Sequence, residues 1–265
     1  IRNVPVDTFE DLLAAGPLRI KQVWATLFAR NLPFYTFVGL KALLVFLSAR
    51  RLCGWSPDYL DFISAALPAP THDKYAKVRT GDVFLSAEEE AQVVIYLENL
   101  ATQCRQEPEQ VPDSTLFQGG MLLCSYLFGM RPYQIAQVKV RDVRIWDSPE
   151  QDTPTVHVTF YMAKQKRQAS VFPMTRRIKQ EWSPIIARVL EKAHSSGCSG
   201  DSRLFQVSSA REVSQAIQRL ATRVTDVETS AMDLRHTAAQ RLVDAGASQE
   251  EVAEFLGHSD ITTGL

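Results

Sequence analysis

Asp233-Leu234-Arg235-His236-Thr237-Ala238, then Gly246, then Ser248-Gln249-Glu250-Glu251-Val252-Ala253-Glu254-Phe255-Leu256-Gly257-His258-Ser259: the reading of the whole chain turns on this stretch. It predicts two short helices, 233–245 and 248–257. Gly246 suits the left-handed residue that ends a helix, and Ser248 with Glu251 forms a capping box that opens the next one. Arg235 stands near a helix start among apolar residues, and His258 closes an amphipathic helix. A histidine there is favoured by the helix dipole alone, so its presence has a purely structural explanation.

Working outward, the region from 84 reads as one α+β domain. Ser86 and Glu89 form another capping box, opening a helix through Val93, Val94, Tyr96 and Leu97. Residues 105–114 are polar and contain prolines, so a loop is expected. Leu116–Leu127 reads as a buried helix stopped by Gly129. Val138–Trp146, Thr155–Met162 and Ala169–Pro173 read as strands, the clearest being the alternating, β-branched Thr155-Val156-His157-Val158-Thr159-Phe160. Helices are expected again over 176–195 and 210–224.

Toward the N-terminus, Leu18, Val23, Leu27 and then Phe37, Leu40, Leu44, Phe46 and Leu47 recur mostly at spacings of three and four. Ser56-Pro57 is expected to cap a further helix through Leu60, Ile63 and Leu67. About four helices in a small bundle follow from this pattern. Between the two regions, PAPTHDKYAKVRTGDV (68–83) breaks the periodicity and reads as an interdomain linker. The expected organisation is a helical domain over 1–67, a linker over 68–83 and an α+β domain over 84–265: mainly α with a small antiparallel sheet. Ile1 in place of Met implies residues ahead of it.

The chain carries 29 Lys+Arg against 30 Asp+Glu, a net charge of −1, which alone argues against a polyanionic partner. The distribution is uneven: residues 1–80 hold 10 basic against 6 acidic side chains. Binding a polyanion needs a basic face, not a basic total. No apolar run suits a membrane span; the richest, Phe37–Leu47, is interrupted by Lys41. Cys53, Cys104, Cys124 and Cys198 are scattered without metal-ligand spacing and read as reduced thiols of a cytosolic protein, with Cys53 and Cys124 buried among apolar neighbours.

Together, Leu234-Arg235-His236-Thr237 and Leu256-Gly257-His258-Ser259 closely resemble the C-terminal signature of the tyrosine recombinases, the phage integrase family. Tyr126-Leu127-Phe128-Gly129-Met130-Arg131-Pro132, with Ile135, Val138 and Arg141-Asp142-Val143, is similar to the segment that carries the family's first catalytic arginine. The strand to Met162, then Lys164, Lys166-Arg167 and Val171-Phe172-Pro173, resembles its lysine-bearing hairpin. The resemblance covers 84–265, while 9–67 matches only the general form of the family's helical core-binding domain.

The resemblance implies that Arg131 and Arg235 clamp the scissile phosphate and that Lys164 protonates the departing 5′ oxygen, with Lys166 as its alternative. His258 is implied as a phosphate ligand and His236 as a brace behind it. Permanently charged, bidentate guanidinium groups suit a phosphorane carrying extra negative charge. Duplex DNA is the implied partner, bound in a C-shaped clamp and exchanged in a homotetramer that other recombinases can join. The implied location is the bacterial cytoplasm, at the nucleoid. No metal, cofactor or ATP is implied, because a phosphotyrosyl link conserves the phosphodiester bond energy. Phosphate contacts from Lys74, Lys77, Arg79, Arg141, Arg144, Lys166 and Arg167 are expectations of the same kind; solvated surface is the alternative for each.

Three positions depart from the pattern. Met232 stands where the family has a histidine, Gln134 stands near its usual acidic residue, and the nucleophilic tyrosine is expected just beyond Leu265. These departures open a second reading, a DNA-binding accessory protein that does not cut. A helix-turn-helix regulator built on 233–245 and 248–257 is a weaker alternative, because Glu250, Glu251 and Glu254 make the second helix acidic and unsuited to a major groove.

Overall fold

The computed structural model describes residues 6–70, 81, 83–146, 153–163 and 171–257. The chain divides into two compact units, residues 1–76 and 77–265.

The first unit contains α1 (Val6–Ala29, broken at Gly16-Pro17), α2 (Phe34–Arg50) and α3 (Leu60–Ala66). Leu12, Ile20, Trp24, Leu27, Phe37, Leu40, Leu44, Trp55, Ile63 and Leu67 form its core. The Trp24 indole donates to the Pro68 carbonyl at 2.6 Å, fastening the end of the unit back to α1. Ser56 stands at the N-cap of a 3₁₀ turn with Pro57 at its first position, as expected, but its hydroxyl donates to Asp58 at 3.0 Å instead of accepting from the turn. One expectation fails here. Cys53 is exposed, because its φ of +52° places it in a tight turn outside the core.

The second unit is built round a buried helix. The chain enters α4 (Ala87–Gln106) through the Ser86/Glu89 capping box, then runs into α5 (Asp113–Phe128), most of whose residues are buried. Gly129, at φ +59°, ends α5, and α6 (Pro132–Gln137) follows directly. The sheet is antiparallel in the order β1 (Val143–Trp146), β2 (Thr155–Ala163), β3 (Val171–Arg177). Val156, Val158, Phe160 and Met162 face the core, as strand alternation requires. Residues 138–142 form a short turn instead of extending β1. Arg176 and Arg177 end β3 where a helix was expected, and α7 begins at Ser183 (Ser183–Ser195). Then come α8 (Ala210–Thr225), α9 (Ala231–Asp244) and α10 (Gln249–Leu256). The capping box at α10 is present as expected. That of α9 belongs to Ser230 and Asp233, so this helix starts before the residue at which the sequence pattern placed it.

Candidate active site

Arg235 lies on the second turn of α9, facing inward at 4% exposure. A buried guanidinium needs acceptors, and the fold supplies two backbone carbonyls. Nη1 donates to the Gly129 oxygen and Nη2 to the Leu256 oxygen, the latter at 2.7 Å. Both carbonyls come from helix ends, where carbonyls lack intrahelical partners. Burial, and then the positive charge of Arg131, lower the Arg235 pKa to about 9. It remains a cation at neutral pH.

Arg131 precedes Pro132 at the start of α6 and is partly exposed. Its backbone N–H donates to Gln134 Oε1 at 2.7 Å. Gln134 is buried, and its amide nitrogen faces the Met162 sulfur at the end of β2. Met162 in turn fills the space beside Gly257: a Cβ added there would meet its terminal methyl at 1.3 Å. Gly129 is similarly enclosed by Leu256 and Arg235. Arg131, Gln134, Met162, Arg235 and Gly257 therefore converge from α6, β2, α9 and the end of α10. Sequence spacing gives no sign of the carbonyl clamp, whose Gly129–Arg235 partners lie 106 residues apart.

The phage integrase family model matches residues 92–264. The chain belongs to this family. Its fold resembles that of the XerH site-specific recombinase bound to difH substrate in a pre-cleavage complex. That match has 12% identity, 97% of this chain, 68% of the other and a TM-score of 0.58. The post-cleavage complex of XerH on a palindromic difH substrate gives 12%, 100%, 68% and 0.56. XerA recombinase matches at 17% identity over 98% and 82% of the chains, with a TM-score of 0.48. Among curated proteins no match was found.

Against the family pattern, Met232 sits on the first turn of α9 at 53% exposure. Its thioether neither donates a hydrogen bond nor carries a proton. His236 is half-buried, edge-on to Phe84, and its pKa is lowered by burial and by Arg235, against the opposing pull of Asp233. Next to it, Thr237 accepts from the Leu85 N–H at 2.9 Å, so the entry to α4 is tied to α9. Arg241 holds the far end of α9, pairing with Glu90 at 3.2 Å and stacking over Tyr126. Arg144 is exposed on β1, and Arg141 is ion-paired with Asp201 at 2.6 Å on the surface. Lys74, Lys77, Arg79, Lys164, Lys166, Arg167 and His258 lie outside the described residues.

Proposed function

We propose that the protein is a tyrosine-type site-specific DNA recombinase. The observation that carries the reading is the clamp itself: Arg235 aimed by the Gly129 and Leu256 carbonyls, with the Arg131 charge close enough to lower its pKa. Two adjacent cations anchored on helix ends suit an anion whose charge grows during reaction, and preorganised donors of this kind carry much of the catalysis in such sites.

In this reading Arg131 and Arg235 bind the non-bridging oxygens of the scissile phosphate, His258 adds a hydrogen bond, and His236 braces α9 from behind. A tyrosine after Leu265 attacks phosphorus; its oxygen forms the new ester as the bond to the 5′ oxygen breaks. Lys164 gives that oxygen its proton, with Lys166 as the alternative donor. The 3′-phosphotyrosyl link is then attacked by the 5′ hydroxyl of a partner strand, and exchange proceeds through a four-way junction in a tetramer. No metal or nucleotide takes part, since the number of phosphoester bonds is conserved. The helical segment 1–67, the linker 68–83 and the domain 84–265 together clamp the duplex, with Lys74, Lys77, Arg79, Arg141, Arg144, Lys166 and Arg167 on backbone phosphates. Arg141 must exchange Asp201 for phosphate, an inexpensive step for an exposed pair. XerH, whose fold this chain shares, was captured on its DNA substrate.

Met232 supports a second reading, a recombinase-fold protein that holds DNA without cutting it. Covalent trapping separates the two. The full chain with its native C-terminal tail is incubated with nicked suicide duplexes from the ends of its own element and run on a denaturing gel. A detergent-stable protein–DNA adduct is the expected result; sequence-specific gel shifts without an adduct would overturn the recombinase reading in favour of the second.

A further inference from the structure

Both strands of the β2–β3 hairpin reach α10, and they reach it where α10 holds Arg235. Arg176 of β3 lies opposite Val158 in the ladder, and Val158 is fully buried on the core side of the sheet. An arginine is costly on that side unless something stabilises its charge. Its guanidinium carbon sits 5.4 Å from the centre of the Phe255 ring, and its Nε is enclosed without a hydrogen-bond partner. From the other strand, Met162 packs against Gly257 so closely that no side chain fits there. Between these two grips stands Leu256, whose carbonyl accepts from Arg235 at 2.7 Å.

We propose that Arg176 is a positioning residue: through the face of Phe255 it fixes the last turn of α10, and with it the Leu256 carbonyl that aims Arg235. Strand alternation puts Arg177 on the exposed face and Arg176 on the face of the buried Val158. Arg176 keeps a buried Nε–H unsatisfied in order to place its cation on the ring, a contact worth most when desolvated. Its predicted effect on strand cleavage rests on the recombinase reading above; its grip on α10 does not.

The test compares Arg176→Ala, Arg176→Lys and Phe255→Leu in the full chain. Three quantities are read: hydrogen exchange over residues 249–257, duplex affinity, and the rate of adduct formation at saturating DNA. In Arg176→Ala, exchange over 249–257 accelerates while α5 stays protected. Cleavage slows about three- to tenfold, the rate equivalent of one cation–π contact, and affinity is unchanged. Arg176→Lys restores both, since lysine keeps the cation and has no Nε–H to strand. Phe255→Leu reproduces the alanine variant, and the double variant is no worse than either single change. Unchanged exchange and cleavage in Arg176→Ala would overturn the proposal. So would a fall in affinity matching the fall in rate, because Arg176 would then be a phosphate ligand. Should the alanine variant fail to fold, Arg176→Lys and Phe255→Leu decide on the same readouts. If the wild-type chain forms no adduct but Arg176→Ala still loosens 249–257, the grip stands and the recombinase reading fails.

Discussion

Arg188 and Arg235 are both buried arginines of the second unit, 6% and 4% exposed, and their surroundings treat them in opposite ways. Arg188 on α7 meets Glu191 at 2.8 Å and Glu109 at 2.7 Å, and the nitrogen that meets Glu109 also donates to the Pro108 carbonyl at 3.2 Å. Its pKa is raised, first by the hydrogen bond to Glu191. Arg235 is held by carbonyls next to a second cation, and its pKa is pushed down to about 9. The first site carries its own counter-charges and serves to pin α7 to the turn before α5. In the proposed recombinase reading, an anion arriving at the second site would favour the cation that burial and Arg131 disfavour. Two arginines of similar burial thus differ in their acceptors, carboxylates at Arg188 and backbone carbonyls at Arg235, and in the direction of their pKa shifts.

The contrast can be broken by experiment. The largest effect is expected from Arg235→Ala: adduct formation falls at least about a hundredfold while duplex affinity changes little, measured by trapping beside gel shifts. Equal losses in both would mean that Arg235 is an ordinary phosphate anchor. Arg188→Ala is expected to lower stability by about 2 kcal/mol in denaturant titrations, below the usual cost of breaking a buried pair because Glu109 and Glu191 are exposed. Its cleavage rate per folded molecule stays at the wild-type level, and a drop there would merge the two arginines into one class. Met232→His places a proton-carrying group on the first turn of α9 and should raise the cleavage rate about tenfold, less than the usual hundredfold or more of general acid–base assistance because position 232 is half-exposed to water. No gain would show that this site operates without such a group.

The smallest effect concerns His236. Its folded pKa lies below the ordinary 6.5, so in that range the unfolded chain binds more protons than the folded one. Stability from this residue is therefore full above the unfolded value and declines as the pH falls toward the folded one. Thermal melts from pH 8 to 5 should show a decline that Flattens in His236→Gln, and an unchanged slope would place the acid sensitivity elsewhere.

Local signals were legible where a side chain answers its own backbone. The boxes at Ser86/Glu89 and Ser248/Glu251, the stop at Gly129 and the alternation of 155–162 all involve neighbours within four residues, and each appears in the fold. The helix expected from 176 begins later because Arg176 and Arg177 pair in a strand with Val158 and His157, a non-local contact that local periodicity does not carry. Cys53 was misplaced for a related reason: apolar neighbours suggest a core position, but a positive φ turns the residue outward. At the candidate site, the motif residues pointed to Arg131 and Arg235, which the fold brings close together, whereas the carbonyls of Gly129 and Leu256 left no trace. Backbone acceptors have no residue identity to read, and Arg235 finds one of them across 106 positions.

The bond from the Leu85 N–H to the Thr237 hydroxyl joins residues 152 apart. Closing so long a loop costs more chain entropy than any local turn, and contacts of that separation slow the search for the native state. On a ribosome, Leu85 emerges long before its acceptor is made, so α9 cannot be seated against the entry to α4 until nearly all of the second unit has been synthesised. The Arg235 clamp, which depends on α9, is thus completed only after α4 to α8 and the sheet have been made, and the Gly129 carbonyl waits for its guanidinium across that whole stretch of synthesis.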